Sequence, residues 1–294
     1  MKRRILVPLD GSNNAEIVIP YVEEIGAKLS AEITLAIVSE SRNTDTVKRY
    51  EAYLKRIEEQ VQFRVKDLGG KEPFKVLSTI LFGNPASEIM RHAKEINAGL
   101  IVIASRGSSG NEPGVLGSTA TKVVRASSMP VLLVKVPGND AGRQAMRLVK
   151  KILLPLDRSH AGEAAIPFVE ELAQGLGAEL VFLHIVEPPV QTLTDQVGGP
   201  TDGYALKRES TAIRAYLANI EKDLKAKGLS VSSVTDTGAP ADVIIDYAQG
   251  KAIDLIAMST HGRSGIGRWL LGSVTDKVLQ AGDTPVLIVR ATKT

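Results

Sequence analysis

Two stretches of this chain place glycine, serine and a helix start in an order that suits an anion. The longer argument rests on DLIAMSTHGRSGIGRWLLGSVT, Asp254 to Thr275. Its apolar run, Leu255 to Met258, reads as a buried strand. A loop rich in Gly and Ser follows, and Gly272-Ser273 stands at the mouth of an amphipathic segment, Val274 to Gln280. Such a strand, loop and helix start aims bare backbone N–H groups at a phosphate, with the helix dipole adding to the attraction. LIVIASRGSSGNEPGVLGSTATKVV, Leu100 to Val124, has the same layout. In both, nine residues separate the loop glycine (Gly107, Gly262) from the glycine before serine (Gly117, Gly272).

Within the second loop, Gly262, Gly265 and Gly267 permit close backbone approach to a ligand, and the Ser273 hydroxyl can donate to it. Arg263 and Arg268 offer forked donors for phosphate. Turn glycines, an ordinary N-cap and solvated arginines account for the same letters. The stretch from Gly262 to Trp269 lacks the Lys-Ser/Thr ending of a P-loop. Its glycines follow a fourth strand rather than a first, so a dinucleotide fingerprint does not fit either. In the earlier copy Ser108 and Pro113 replace the two arginines and Glu112 replaces Gly267. Two positive charges are lost and one negative gained, so the first site is expected to be weaker or empty.

Pro155-Leu156-Asp157 and Pro8-Leu9-Asp10 each put a carboxylate at the end of an apolar run. Such an acid can accept from ribose hydroxyls or hold a metal that bridges phosphates. It can equally serve the start of the next helix, with Ser12 or Ser159 sharing that work. Ile185 and Val38, late in the second strand of each unit, would flank a crevice and could pack on a base; periodicity alone makes them core. His92, His160, His184 and His261 form no spaced metal pair, and no nucleophile–base set can be assembled from sequence.

The elements that position these residues are written twice. KRRILVPLDGS returns as VKKILLPLDRS, IPYVEEIG as IPFVEELA, FGNPASEIM as TGAPADVII, and MPVLLVKV as TPVLIVRA. The register slips by eight residues between halves, a slip assigned to EPPVQTLTDQVGGPTDGY after the second strand. Domains are expected at residues 1–138 and 149–294, joined by PGNDAGRQAMRL, Pro137 to Leu148. Near-continuous apolar strands separated by helical patterns indicate parallel sheets covered on both faces, a doubly wound α/β architecture. In such sheets ligands bind at the carboxyl ends of the strands where the order reverses. If the first and fourth strands meet there, Asp157 and the glycine loop share one crevice.

Composition narrows the classes. The 294 residues carry 36 Lys+Arg and 33 Asp+Glu, with 4% aromatics and no block of five like charges. A stacking, basic nucleic-acid surface is poorly supported. Cysteine is absent, which excludes disulfides and thiolate chemistry. No apolar run approaches the ~18 residues that span a bilayer, and the basic start runs directly into a strand. A cytoplasmic protein without membrane or nucleic-acid partners is expected.

These motifs resemble those of a tandem universal stress protein. The nucleotide-binding members of that family carry a small residue, two positions, Gly, nine positions, then Gly-Ser or Gly-Thr. Here the pattern reads Ser259, Gly262, Gly272, Ser273, and earlier Ala104, Gly107, Gly117, Ser118. The resemblance covers nearly the whole chain. It implies Rossmann-like domains with five-stranded parallel sheets in the order 3-2-1-4-5, and ATP or another adenine nucleotide, with Mg²⁺ at Asp157 as an option. It implies a second-half site of Pro155, Asp157, Ile185, Ser259, Gly262, Arg263, Gly265, Gly272, Ser273 and Val274. The first-half candidates are Pro8, Asp10, Val38, Ala104, Gly107, Gly117, Ser118 and Thr119. Pairing through the last strand is expected within the chain, with a homodimer as a further option. One departure stands out: the family's first loop Gly is Ser259 here and Ala104 in the other half, which would weaken binding if that position needs positive φ or direct backbone contact with the phosphates. The expected function is a nucleotide-responsive stress regulator without fast turnover and without catalytic residues. The alternatives are an interaction module with decayed sites, or a slow ATPase or autophosphorylating protein using Ser273.

Overall fold

A computed structural model describes residues 4–70, 74–108, 116–137, 149–188, 203–260 and 271–291. The first half contains strands β1 (Arg4–Leu9), β2 (Glu32–Ser39), β3 (Val76–Phe82), β4 (Leu100–Ala104) and β5 (Val131–Val134). Between them run helices α1 (Asn13–Glu16), α2 (Ile19–Leu29), α3 (Thr44–Asp67), α4 (Pro85–Glu95) and α5 (Ser118–Ala126). The second half repeats the plan with β6 (Lys151–Pro155), β7 (Glu179–Val186), β8 (Val231–Thr237), β9 (Leu255–Ser259) and β10 (Val286–Val289). Its helices are α6 (His160–Glu163), α7 (Ile166–Leu176), α8 (Gly203–Ala226), α9 (Pro240–Gly250) and α10 (Ser273–Ala281).

The apolar runs form strands because both their faces are covered. All five residues of β4 and of β9 are buried. Alternate strand residues serve opposite layers: Ile5 and Val7 pack with α2 residues such as Val22 and Ile25, while Leu6 and Ile101 pack with Ile89 of α4 and Val123 of α5. The second half does the same with Phe182 and Val169 on one face, and Ile256 with Ile244 and Val278 on the other. Local signals set the helix starts. Asn84 accepts from the Ser87 amide ahead of Pro85 at the first turn of α4, the arrangement that capping and proline preference both favour.

Each half has the strand order 3-2-1-4-5, and the two join as one ten-stranded sheet, β3-β2-β1-β4-β5-β10-β9-β6-β7-β8. Every described pairing is parallel except the seam, where β5 and β10 run antiparallel with Leu133 opposite Val286 and Val131 opposite Ile288. On one face of the seam α2 meets α7, so closely that a Cβ on Gly175 would lie 2.0 Å from Leu29 Cδ2. On the other face the halves cap each other's helices. Lys135, just past β5, donates to the Leu279 carbonyl near the end of α10. Arg290, just past β10, donates to the Arg125 carbonyl of α5 at 3.1 Å. Cations at helix C-termini are favoured by the dipole. Arg125 also pairs with Asp276 of α10 at 2.9 Å.

The eight-residue slip is distributed differently from the sequence expectation. The connection between β7 and α8 spans residues 187–202, against 40–43 in the first half. The connection between α8 and β8 spans 227–230, against 68–75. Twelve residues are gained before the helix and four lost behind it. The two helices are equally long, so the sequence comparison sees only the net eight.

Candidate functional site

The order of each half reverses between its first and fourth strands. In the second half these are β6 and β9, which pair through Ile152↔Leu255 and Leu153↔Ile256 and end at the same edge. Beyond that edge lies a cleft of about 500 Å³ lined by Pro155, Asp157, Ile185, Ser259, Gly272, Ser273 and Val274. All the described second-half candidates therefore share one cavity, which is the size of a small-ligand pocket. Gly262, Arg263 and Gly265, with His261, Gly267 and Arg268, lie outside the described residues.

The cleft wall at α10 is backbone. Gly272 is the N-cap with φ −58° and, among the described residues, no side chain accepts from the first-turn amides. Thr275 does not cap, because its hydroxyl donates to the Ser259 carbonyl at 3.1 Å. An α-helix leaves its first four N–H groups without intrahelical partners, so this end presents donors and the positive end of the dipole to the cavity. Among the described residues, a Cβ on Gly272 would meet nothing closer than the Thr260 carbonyl at 3.6 Å.

The opposite wall is acidic. Asp157 Oδ1 accepts from both the amide (3.0 Å) and the hydroxyl (2.6 Å) of Ser159, whose Oγ in turn accepts from the Gly162 amide to cap α6. The acid thus fixes the capping serine while lining the cleft. Tyr216 of α8 donates to Glu163 at 2.8 Å; burial, then the charges of Glu163 and Asp157, push its phenol pKa upward. The tyrosine stays a neutral donor behind this wall. His184 is buried in the sheet with Nδ1 2.8 Å from the Leu156 carbonyl, a core role.

The apolar floor contains residues that periodicity labels only as core. Leu183, Met258 and Ile244 lie beside Ile185, and the Ala239-Pro240-Ala241 turn forms the rim. Two charged lining residues, Glu187 and Lys277, went unnoticed in the sequence. Lys277 sits three residues after Val274 on α10, so helical spacing marks its face. It pairs across the rim with Asp242 of α9 at 2.7 Å. Glu187 follows β7 directly, where strand-end position is the available signal.

The first half brings the same residue types together with another outcome. Asp10 Oδ1 accepts from the Ser12 amide and hydroxyl, as in the second half. Its Oδ2 accepts from the amide of Ser108, in the glycine loop, at 2.7 Å. Gly107 lies so near that a Cβ there would be 2.1 Å from that oxygen, and Asn14 donates to the Gly107 carbonyl at 3.2 Å. Arg106, buried, donates to the carbonyls of Val136 and Pro137. The acid and the loop are bonded to one another. Gly117 is the N-cap of α5, with Ser118 and Thr119 in its first turn, and no side chain caps it. Val38 is partly buried against the layer containing Ala36 and Ile101. Pro8 lies in β1, opposite Ala36. Glu112 and Pro113, the basis of the charge argument, lie outside the described residues.

Neither Ser259 nor Ala104 is among the described non-glycine residues with positive φ. A side chain at this position is therefore not strained by a left-handed backbone. Among the described residues no group of three or more His, Asp or Glu is arranged to hold a metal ion, and no helix is long and apolar enough to cross a membrane.

Comparison with known proteins converges on one family. The model of the universal stress protein family matches residues 1–135 and again 148–290. A universal stress protein of Methanocaldococcus jannaschii is 30% identical over 161 residues, 53% of this chain and 90% of its own. One from Mycolicibacterium smegmatis is 30% identical over 196 residues, 66% of this chain and 62% of its own. A crystal structure of a universal stress protein from Archaeoglobus fulgidus covers 100% of this chain and 98% of its own, with a TM-score of 0.69 at 19% identity. At that identity the likeness speaks for the fold.

Proposed function

Because this chain belongs to the universal stress protein family and carries two of its domains, we propose that it binds an adenine nucleotide in the second-half cleft and acts as a nucleotide-responsive regulator. The supporting observation is the meeting of Asp157 with the uncapped first turn of α10 across a cavity of about 500 Å³. The α10 amides and the Ser273 hydroxyl would take the phosphates. Asp157 would accept from ribose hydroxyls, and Ile185, Met258 and Leu183 would pack on the base. Mg²⁺ would enter with the nucleotide, held chiefly by its phosphates and by Asp157 as a single carboxylate, and would neutralise phosphate charge.

In this proposal turnover is slow or absent; hydrolysis would need a general base toward the α10 turn, and the carboxylates lining the cleft are Asp157 and Glu187. Binding would instead report nucleotide level through the α10 helix, whose far end is held by Lys135 of the other half. The β5–β10 seam would do within one polypeptide what pairing of two chains does for a single-domain relative. A cytoplasmic stress role follows from the family as part of this proposal.

The test is mass spectrometry of the small molecule released when the purified protein is denatured, followed by timed conversion of ATP to ADP. An adenylate released in proportion to protein, with conversion no faster in the wild type than in Gly272→Val, is the expected result. No adenylate, and no uptake of added nucleotide, would leave the interaction-module reading instead. Conversion abolished by Gly272→Val would mark a slow ATPase.

A further inference from the structure

The proposed nucleotide contacts leave one charged residue of the cleft unused. Lys277 lines the cavity from the second turn of α10, and among the described lining residues it is the only lysine or arginine. Its ammonium is held at the rim, where Asp242 of α9 takes it with both oxygens, Oδ1 at 2.7 Å and Oδ2 at 2.9 Å. Asp242 is not itself among the lining residues. It sits in the first turn of α9, where the helix dipole favours a carboxylate without help from the lysine. Both side chains are 53% exposed, and an exposed pair of this kind holds weakly. The first half lacks the pair: Lys122 stands at the matching place on α5, but Ser87 stands where the acid is, and its hydroxyl donates to Asn84. The fold of a lobe therefore does not require this link.

Helix geometry turns the same lysine toward the ligand end. Lys277 follows Ser273 by four residues and Val274 by three, so the three share one face of α10, and helical side chains lean toward the N-terminus. The ammonium thus has two anionic destinations, Asp242 at the rim and an anion seated against the first turn. Resting on the nucleotide reading above, we infer that Lys277 is an exchangeable latch. It ties α10 to α9 through Asp242 in the free protein and passes to a phosphate oxygen of the nucleotide in the complex. A polyphosphate carries more charge than one carboxylate, and the α10 amides and dipole hold it in place, so it wins the lysine from a solvated aspartate. Binding then leaves Asp242 as a bare carboxylate on the exposed side of α9. A ligand shifts a conformational equilibrium only through contacts that differ between the two states, and this exchange is such a contact. It lets the cleft signal occupancy without hydrolysis.

Calorimetry on the full chain with ATP and with adenosine tests this. Lys277→Gln is expected to weaken ATP binding about tenfold and to change adenosine less than about twofold, since only the phosphates meet the ammonium. Asp242→Asn is expected to act in the opposite sense, strengthening ATP binding about two- to fivefold, because the competitor for the lysine is gone. In the double variant the asparagine should add nothing, and ATP affinity should equal that of Lys277→Gln alone. Losing a nearby negative charge would favour ATP even without a latch, but that gain would persist in the double variant. A persistent gain, or unchanged ATP affinity in Asp242→Asn, would overturn the latch. An equal loss of ATP and adenosine in Lys277→Gln would also overturn it, by moving the contact to the nucleoside. The wild type decides the underlying reading separately. If it takes up neither ligand, the nucleotide reading and the latch both fall; if it binds ATP and the variants behave like it, the latch alone falls.

Discussion

The two halves carry the same acid, the same glycine spacing and the same glycine at the helix start, yet the end of the fourth strand differs, Ala104 in one and Ser259 in the other. In the first half Asp10 is bonded to the amide of Ser108, so acid and loop satisfy one another. In the second half Asp157 lines a cleft that also takes in Ser259, Gly272 and the start of α10. On the proposed function, the second lobe takes the ligand in that cleft, and the first holds the far end of α10 through Lys135.

The largest expected effect separates the lobes directly. Gly272→Val should remove measurable ATP binding, because the side chain fits the protein but occupies the space against the α10 amides. Gly117→Val, at the matching turn of the first half, should leave ATP affinity within about twofold, and calorimetry on the two variants makes the comparison. Equal losses would mean that both lobes bind.

A second contrast concerns α2 and α7. Glu23 is buried with Oε1 unpartnered, and burial pushes its carboxyl up to about 7 against the opposing pull of Arg64 and Gln60. Its counterpart Glu170 is instead held by Lys227 at 2.7 Å. A carboxyl with a raised folded pKa gives stability that is fully present below its unfolded value, near 4.5, and lost as pH rises to about 7. Thermal or urea unfolding across that window should show the wild type losing up to about 3 kcal/mol from this group, with Glu23→Gln flattening the profile. Glu170→Gln should cost at most about 1 kcal/mol, as expected of an exposed pair.

Smaller effects come from turns where one half uses glycine and the other does not. Arg158 has φ 66° where the first half has Gly11 at 83°, and Ser30 has φ 51° where the second half has Gly177 at 67°. Left-handed backbone is strained for residues with a Cβ. Arg158→Gly and Ser30→Gly should each stabilise by about 0.5–1 kcal/mol, read from urea midpoints, while Gly177→Ser should destabilise by a similar amount. Failure of these exchanges to act with opposite signs would show that the halves relieve this strain by other means.

Much of the fold is legible in the letters. The repeat sets two units, apolar runs such as LIVIA set buried parallel strands, and the chemistry of doubly wound sheets brings Asp157 and Gly272 to one edge. The asymmetry between sites is less legible. Charge at Ser108, Pro113 and Glu112 predicts a weak first site, whereas the bond from the Ser108 amide to Asp10 is made by backbone, which no residue type announces. Lys277 and Glu187 escape notice because long-range packing, rather than local pattern, turns them toward the cleft. The placement of the insertion escapes for the opposite reason: a gain and a loss on either side of a helix cancel in the register.

The most direct measurement is the stoichiometry of ATP binding to the intact chain by isothermal titration. One nucleotide per chain is expected, seated in the second-half cleft. Two equivalent sites, or no binding at millimolar nucleotide, would contradict it.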